Sequence, residues 1–123
     1  MEVFEYVPPS DAEISAAQKK LDMHFSPEYV DFIKSGYDLG CSVLEALEID
    51  NPGSHVDIFE AIESARKYYG LPENLLPICE DNSDYYCLNE KGEVVFWSYN
   101  GVTDEMWSSI EAWRTQMISD ASD

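Results

Sequence analysis

Residues 75–99 read LLPICEDNSDYYCLNEKGEVVFWSY, and this stretch decides the fold. Apolar runs at 75–79 and 85–88 flank the polar cluster 80–84. The short polar side chains of that cluster compete for backbone hydrogen bonds and favour a turn. The pattern therefore predicts two strands with a tight turn between them.

A third apolar run, at 94–99, completes the clearest hairpin signal in the chain. It is rich in the β-branched and aromatic residues that suit a pleated, half-buried surface. The connection ends in Gly92, which can take the positive φ that an antiparallel hairpin turn needs. We expect 85–88 to pair with 94–99. Alternation then places Val94, Phe96 and Ser98 on one face and Val95, Trp97 and Tyr99 on the other, so this pair lies centrally in a sheet and helices cover at least one face.

Helix signals lie on both sides of this region. Ser10 and Glu13 form a capping box, and Ser26 followed by Pro27 is a second helix start. The predicted helices are 11–21, one beginning at Pro27, 56–69 and 108–118. A further strand is expected at 43–49, where Glu45 interrupts the apolar face and a short helix is the alternative. Val3, Phe4, Tyr6 and Val7 are candidates for a short edge element. The predicted fold class is α+β: a mostly antiparallel sheet of about four to six strands packed against two N-terminal helices, one middle helix and one C-terminal helix.

The length and composition fit one domain over 1–123, with 118–123 as a polar tail that can fray. The chain has 123 residues and is 45% hydrophobic, which suffices for a core without disulfides or metal. No apolar window approaches the roughly 18 residues that span a bilayer, and no basic region precedes an apolar stretch near the first residue. We therefore expect a cytoplasmic protein.

The charge balance is strongly acidic. Twenty-five acidic side chains face seven basic ones, which gives a formal net charge of −18. Direct contact with nucleic acid or an anionic membrane surface is disfavoured, because both need stripes of Lys and Arg. Such a field attracts cationic partners at long range, although the same charge could serve solubility alone.

The sequence offers no catalytic residues, metal ligands or cofactor site. A Gly-x-Ser-x-Gly elbow, a phosphate loop and a dinucleotide fingerprint are all missing, and His24 and His55 stand apart from any partner motif. The three cysteines, Cys41, Cys79 and Cys87, lack the C-x-x-C spacing, so we expect buried thiols.

Carboxylates flank the aromatic residues of the hairpin region. A carboxylate rim around aromatic anchors would complement a cationic protein. The predicted partner-binding residues are Glu80, Asp81, Asp84, Tyr86, Glu90, Glu93 and Trp97. Core packing is the commoner use of such aromatic rings, and their outward half could form the recognition surface; the helix with Asp57, Glu60 and Glu63 is a competing surface.

Short motifs in matching order make the chain resemble the SUKH superfamily, which includes bacterial immunity proteins against secreted toxins and fungal cell-wall-assembly regulators. The matching residues are Pro9-Ser10, Glu13-Ile14, Pro27-Glu28-Tyr29, Phe32-Ile33, Ala65-Arg66, Gly70-Leu71-Pro72-Glu73, Asp84-Tyr85-Tyr86-Cys87-Leu88, Gly92, Val94-Val95 and Ser109-Ile110-Glu111-Ala112-Trp113.

The resemblance implies a non-enzymatic α+β domain that binds a cognate protein toxin and blocks it. Many such toxins are nucleases, whose clefts are basic, so an immunity protein of charge −18 would be steered toward them. Two alternatives remain: a regulatory or scaffold module of the cell-wall-assembly type, and a small ligand-binding domain that uses the aromatic sheet face. The oligomeric state is left open.

Overall fold

The computed structural model describes residues 8–40, 44–98 and 101–121. Its elements, in chain order, are α1 (Asp11–Leu21), α2 (Pro27–Lys34), β1 (Glu45–Ala46), α3 (Ile58–Tyr69), β2 (Leu76–Asp81), β3 (Asp84–Leu88), β4 (Val94–Ser98), β5 (Gly101–Trp107) and α4 (Ile110–Ala121). The strands form one antiparallel sheet in the order β1-β2-β3-β4-β5. The predicted α+β fold is confirmed.

The helices begin where the sequence places their caps. The Ser10 hydroxyl accepts from the Glu13 amide, and the Glu13 carboxylate accepts in return from the Ser10 amide. The Ser26 hydroxyl accepts from the Tyr29 amide in the same way. Each interaction satisfies an orphan amide of the first turn, so α1 and α2 are specified locally.

The predicted hairpin is confirmed. Leu88 pairs with Val94, and Tyr85 pairs with Trp97, which fixes the register of β3 and β4. The Asn89 amide donates to the Glu93 carbonyl at 2.9 Å, and Gly92 has a φ of 81°. Only glycine adopts that backbone conformation without steric cost, which explains its place in this turn.

The sheet is covered on both faces. One face packs against α1, α2 and α4 in the main core, where Tyr29, Ile33, Ile78, Val94, Ile110 and Trp113 are almost wholly buried. The other face carries a smaller cluster, made of Ala65, Leu71, Leu75, Cys87, Val95 and Trp97. The alternation predicted for β4 is therefore confirmed over Val94–Ser98.

Two predicted elements have clearly different bounds in the structure, and one strand was not predicted. Strand β1 is limited to Glu45–Ala46, whereas 43–49 was expected, and α4 begins at Ile110 and continues through Ala121. Strand β5 was not predicted, because its residues show no buried face. Val3, Phe4, Tyr6, Val7, Cys41, Val43 and Tyr99 lie outside the described residues.

A long-range cap attaches α4 to α2. The Ile110 amide donates to Oε1 of Glu28 at 2.8 Å, and the Glu111 amide donates to Oε2 at 3.3 Å. A carboxylate suits this position because the first amides of a helix lack intrahelical partners and carry partial positive charge. Glu28 therefore holds the C-terminal helix in place from 82 residues away.

Replacing Glu28 with alanine should lower the free energy of unfolding by about 1–2 kcal/mol, because two amides of α4 lose a charged acceptor. Urea unfolding followed by circular dichroism would measure the loss. Asp31→Asn is the matched control, since Asp31 is an exposed carboxylate of the same helix. If the two variants are equally stable, the cap contributes nothing to the fold.

Candidate functional site

The β2–β3 turn brings three of the predicted residues together. Asp81 and Asp84 are cross-strand partners, and the preceding residue, Glu80, pairs with Glu45 on β1. Asn82 and Ser83 form the turn itself, with φ values of 51° and 74°. Carboxylates from three neighbouring strands thus lie at one end of the sheet, and we call Glu45, Glu80, Asp81 and Asp84 the acidic end.

Further carboxylates approach this end from β5 and α4. Burial raises the pKa of Tyr86 to about 12, and the negative charges of Asp81, Glu105 and Asp120 add to the rise. These three carboxylates therefore lie close enough to the Tyr86 hydroxyl to disfavour a phenolate. Glu105, in the middle of β5, and Asp120, in the last turn of α4, therefore add to the negative charge around Tyr86, next to the acidic end.

The negative charge of the acidic end also affects the pKa of the buried Cys79 thiol. Burial raises its pKa first, and the carboxylates of Asp81, Glu80 and Glu45 raise it further. A thiol with a raised pKa is a poor nucleophile and a poor metal ligand. Cys79 and Cys87 are free and fully buried, as the sequence predicted, while Cys41 lies outside the described residues.

Glu90 and Glu93 lie at the opposite end of β3 from Asp84. Five residues separate the two turns, which corresponds to roughly 13 Å between the ends of the strand. Glu93 accepts a hydrogen bond from the Asn89 side chain at 3.0 Å, so it belongs to the hairpin turn. The structure therefore divides the predicted carboxylates between two sites.

An open cleft lies beside Glu90. Its volume is about 370 Å³. Its lining residues are Asp22, Met23, His24, Glu73, Asn74, Leu76, Leu88, Asn89 and Glu90, and they come from the end of α1 and the strands. Three of these side chains are acidic, so this cleft is a second acidic surface.

Tyr86 and Trp97 do not project from the protein. Their exposed fractions are 8% and 3%, and the two rings lie on opposite faces of the sheet. Tyr86 packs against Phe96 at 4.7 Å between ring centroids, and Trp97 stacks on Tyr85 at 6.3 Å. The two rings serve core packing in this structure, because helices or loops cover both faces of the sheet, and neither is an exposed anchor for a partner.

The strands carry carboxylates and no basic side chains. Six acidic residues lie within β1 to β5, namely Glu45, Glu80, Asp81, Asp84, Asp104 and Glu105, and none of the seven Lys and Arg residues does. Two of the basic residues already face carboxylates: Lys34 contacts Asp11 at 2.8 Å, and Arg114 contacts Asp38 at 2.9 Å. The strands therefore form the more uniformly negative part of the described surface, and the one basic residue of the β3–β4 turn is Lys91.

The competing surface on α3 has mixed charge. Asp57 is buried and caps the helix by accepting from the Phe59 and Gly53 amides, so its carboxylate is committed to the fold. Glu60 and Glu63 are exposed, but Arg66 and Lys67 follow in the last turn. This helix complements a cationic partner less well than the acidic end does.

The sequence reasoning missed Glu45, Asp104, Glu105 and Asp120. Asp104 and Glu105 were missed with the strand that carries them, although the Asn100-Gly101 pair at its start is a hairpin turn signal. Glu45 joins the acidic end by pairing with Glu80 across strands, and Asp120 adds negative charge near Tyr86 from α4; no local sequence pattern reveals either.

The described residues contain neither a candidate metal site nor a helix that could cross a membrane. Within 8–40, 44–98 and 101–121, no group of three or more His, Cys, Asp and Glu side chains could hold a metal ion. None of the helices in the same ranges is long and apolar enough to cross a membrane.

Comparison with known proteins identifies the family. The sequence profile of SUKH_5, described as "SMI1-KNR4 cell-wall", matches residues 3–119. A solved structure described as "Crystal structure of protein from Pseudomonas syringae pv. tomato" is similar, with 30% identity and a TM-score of 0.80 over 94% of this chain and 90% of that one. No curated protein matches the chain. Because the profile covers nearly the whole sequence, the chain belongs to the SUKH_5 family of SMI1-KNR4 proteins.

Proposed function

We propose that this protein is a non-enzymatic immunity protein of the cytoplasm. It binds a cognate bacterial toxin domain and neutralises it by covering its functional surface. The toxin is basic and of the nuclease type. Family membership supports a role in protein binding, and the net charge of −18 is the observation that carries the choice of partner.

A nuclease toxin needs a basic active cleft. Its active cleft must hold a polyanion, so Lys and Arg line it. A negatively charged protein is drawn to such a cleft through long-range attraction, which can raise an association rate by about 10–10³-fold. Carboxylates then occupy positions that phosphates would otherwise fill, and the toxin loses access to its substrate.

The acidic end is the surface that best fits this role. Glu45, Glu80 and Asp84 come from adjacent strands, and Glu80 and Glu45 are exposed. Asp81 lies at the same end, whereas Glu105 lies in the middle of β5. Glu45 and Glu80 are cross-strand partners on one face of the sheet, and Asp81 and Asp84 are partners on the other. The rigid sheet holds both pairs in place, so little side-chain order has to be gained when a basic partner binds.

The alternative functions have weaker support. A regulatory module of the cell-wall-assembly type fits the printed description of the family but makes no use of the charge. A ligand site on the aromatic sheet face would need Tyr86 or Trp97 to be accessible, and both are buried.

The direct test is co-expression with the toxin domain encoded by the adjacent upstream gene. We expect the host to survive only when this protein is present, and a stable complex of the two proteins to be recovered. The purified protein alone should degrade neither RNA nor DNA. Host death despite co-expression, or failure to recover a complex, would refute the immunity role.

A further inference from the structure

The edge strand β5 has features that the acidic end does not explain. Val102 and Met106 are 55% and 58% exposed, which is unusual for apolar residues in a sheet. Their partners on β4, Trp97 and Val95, are buried on the same face. The apolar surface of that face therefore continues outward onto β5 and is left uncovered there.

Among the described residues, β5 has no neighbouring strand on the side away from β4. The strand is seven residues long, about 20 Å, and the described residues place it at the edge of the sheet. Its pairing with β4 is irregular, with a register shift between Val95 and Trp97. Residues 102–106 are exposed, so side chains on both faces of β5 are accessible to an added strand.

We propose that β5 receives an extended, basic segment of the toxin, which pairs with it as an additional antiparallel or parallel strand. This inference rests on the proposed immunity function and names the surface and the type of segment that it uses. Main-chain hydrogen bonds along an open edge supply affinity, and alternate side chains supply specificity.

Charge identifies the occupant. Asp104 lies between Val102 and Met106 on one face of β5, and Glu105 lies on the other face. The segment that fits has apolar residues facing Val102 and Met106 and Lys or Arg facing the two carboxylates. A second copy of this chain is a poor occupant, because pairing β5 with itself would bring the same carboxylates together at a net charge of −18 each.

Amide hydrogen exchange on the purified protein and on its complex with the toxin domain tests the strand directly. In the free protein, the β5 amides that point away from β4 should exchange fast, in alternation with protected ones. In the complex the fast amides should become protected. If they are protected in the free protein, then the N-terminal residues of this chain or a second copy already pair with β5, and the proposal is overturned.

A matched pair of variants separates this inference from the function on which it rests. Met106→Lys should weaken toxin binding at least tenfold. Tyr68→Lys adds the same single positive charge at a residue of α3 that is 67% exposed, and it should change toxin binding less than threefold. If the toxin binds the wild type and both variants equally and β5 gains no protection, the edge-strand proposal fails and the immunity function stands. If the wild type does not bind the toxin, both fail.

Discussion

Replacing Trp113 with alanine should lower the free energy of unfolding by about 3–5 kcal/mol, which is the range for a buried aromatic residue. Trp113 has no exposed surface, and it packs between Phe32, at 6.1 Å, and Tyr86, at 5.5 Å between ring centroids. Its loss removes the contact that joins α2, α4 and the sheet. Because small domains are stable by only about 5–15 kcal/mol, this change approaches the whole stability of the protein.

The control for Trp113→Ala is Trp113→Phe, which keeps an aromatic ring and removes the indole nitrogen. Nε1 is buried and has no hydrogen-bond partner among the described residues. Trp113→Phe removes that unpaired group, whose burial costs about 1–3 kcal/mol, and this gain offsets part of the lost packing. We therefore expect the phenylalanine variant to lose much less stability than the alanine variant. Urea unfolding followed by circular dichroism at 222 nm would give the free energy of unfolding of both variants. This signal suits the comparison because it does not depend on tryptophan fluorescence. Equal losses would contradict the packing argument.

Local signals in the sequence predicted the helices well. The bounds of α1, the start of α2 at Pro27 and the end of α3 before Gly70 follow from caps and glycine conformations within a few residues. The hairpin of β3 and β4 was equally local, since one short turn fixes its register. These elements need no tertiary information to be recognised.

Strand β5 and the true extent of the acidic end required tertiary information. An edge strand exposed on both faces carries no alternation between buried and exposed residues, so GVTDEMW shows no core-facing pattern. Tyr86 and Trp97 were assigned to the correct faces of their strands. Their burial depends on α4 and on residues 71–75, which cover those faces and lie elsewhere in the sequence.

The candidate site was divided for a simple geometric reason. Carboxylates near one another in the sequence fall on two turns, and an intervening strand puts those turns at opposite ends of the sheet. Conversely, Glu45 precedes Glu80 by 35 positions yet pairs with it directly. Sequence proximity is therefore a poor guide to surface proximity in an antiparallel sheet.

Because the carboxylates lie at two opposite ends of the sheet, charge reversal at one end can be compared with charge reversal at the other. The double variant Glu80→Lys with Asp84→Lys should associate with the toxin about tenfold more slowly than the wild type at low ionic strength, because it reverses two charges at the surface that steers the encounter. Stopped-flow fluorescence at a series of salt concentrations would measure the rates. The difference should shrink as salt increases, since the Debye length falls from about 10 Å at 0.1 M to about 3 Å at 1 M.

The opposite end of the sheet provides a control of identical charge. Glu73→Lys with Glu90→Lys alters two exposed carboxylates of the open cleft. Each reversal adds two units, so both double variants go from −18 to −14. If net charge alone governed the encounter, the two variants would slow association equally. A slow acidic-end variant beside a nearly normal cleft variant would instead locate the steering field at the β2–β3 turn. The reverse result would move the interface to the cleft, because a basic surface responds most to the charges that it approaches most closely.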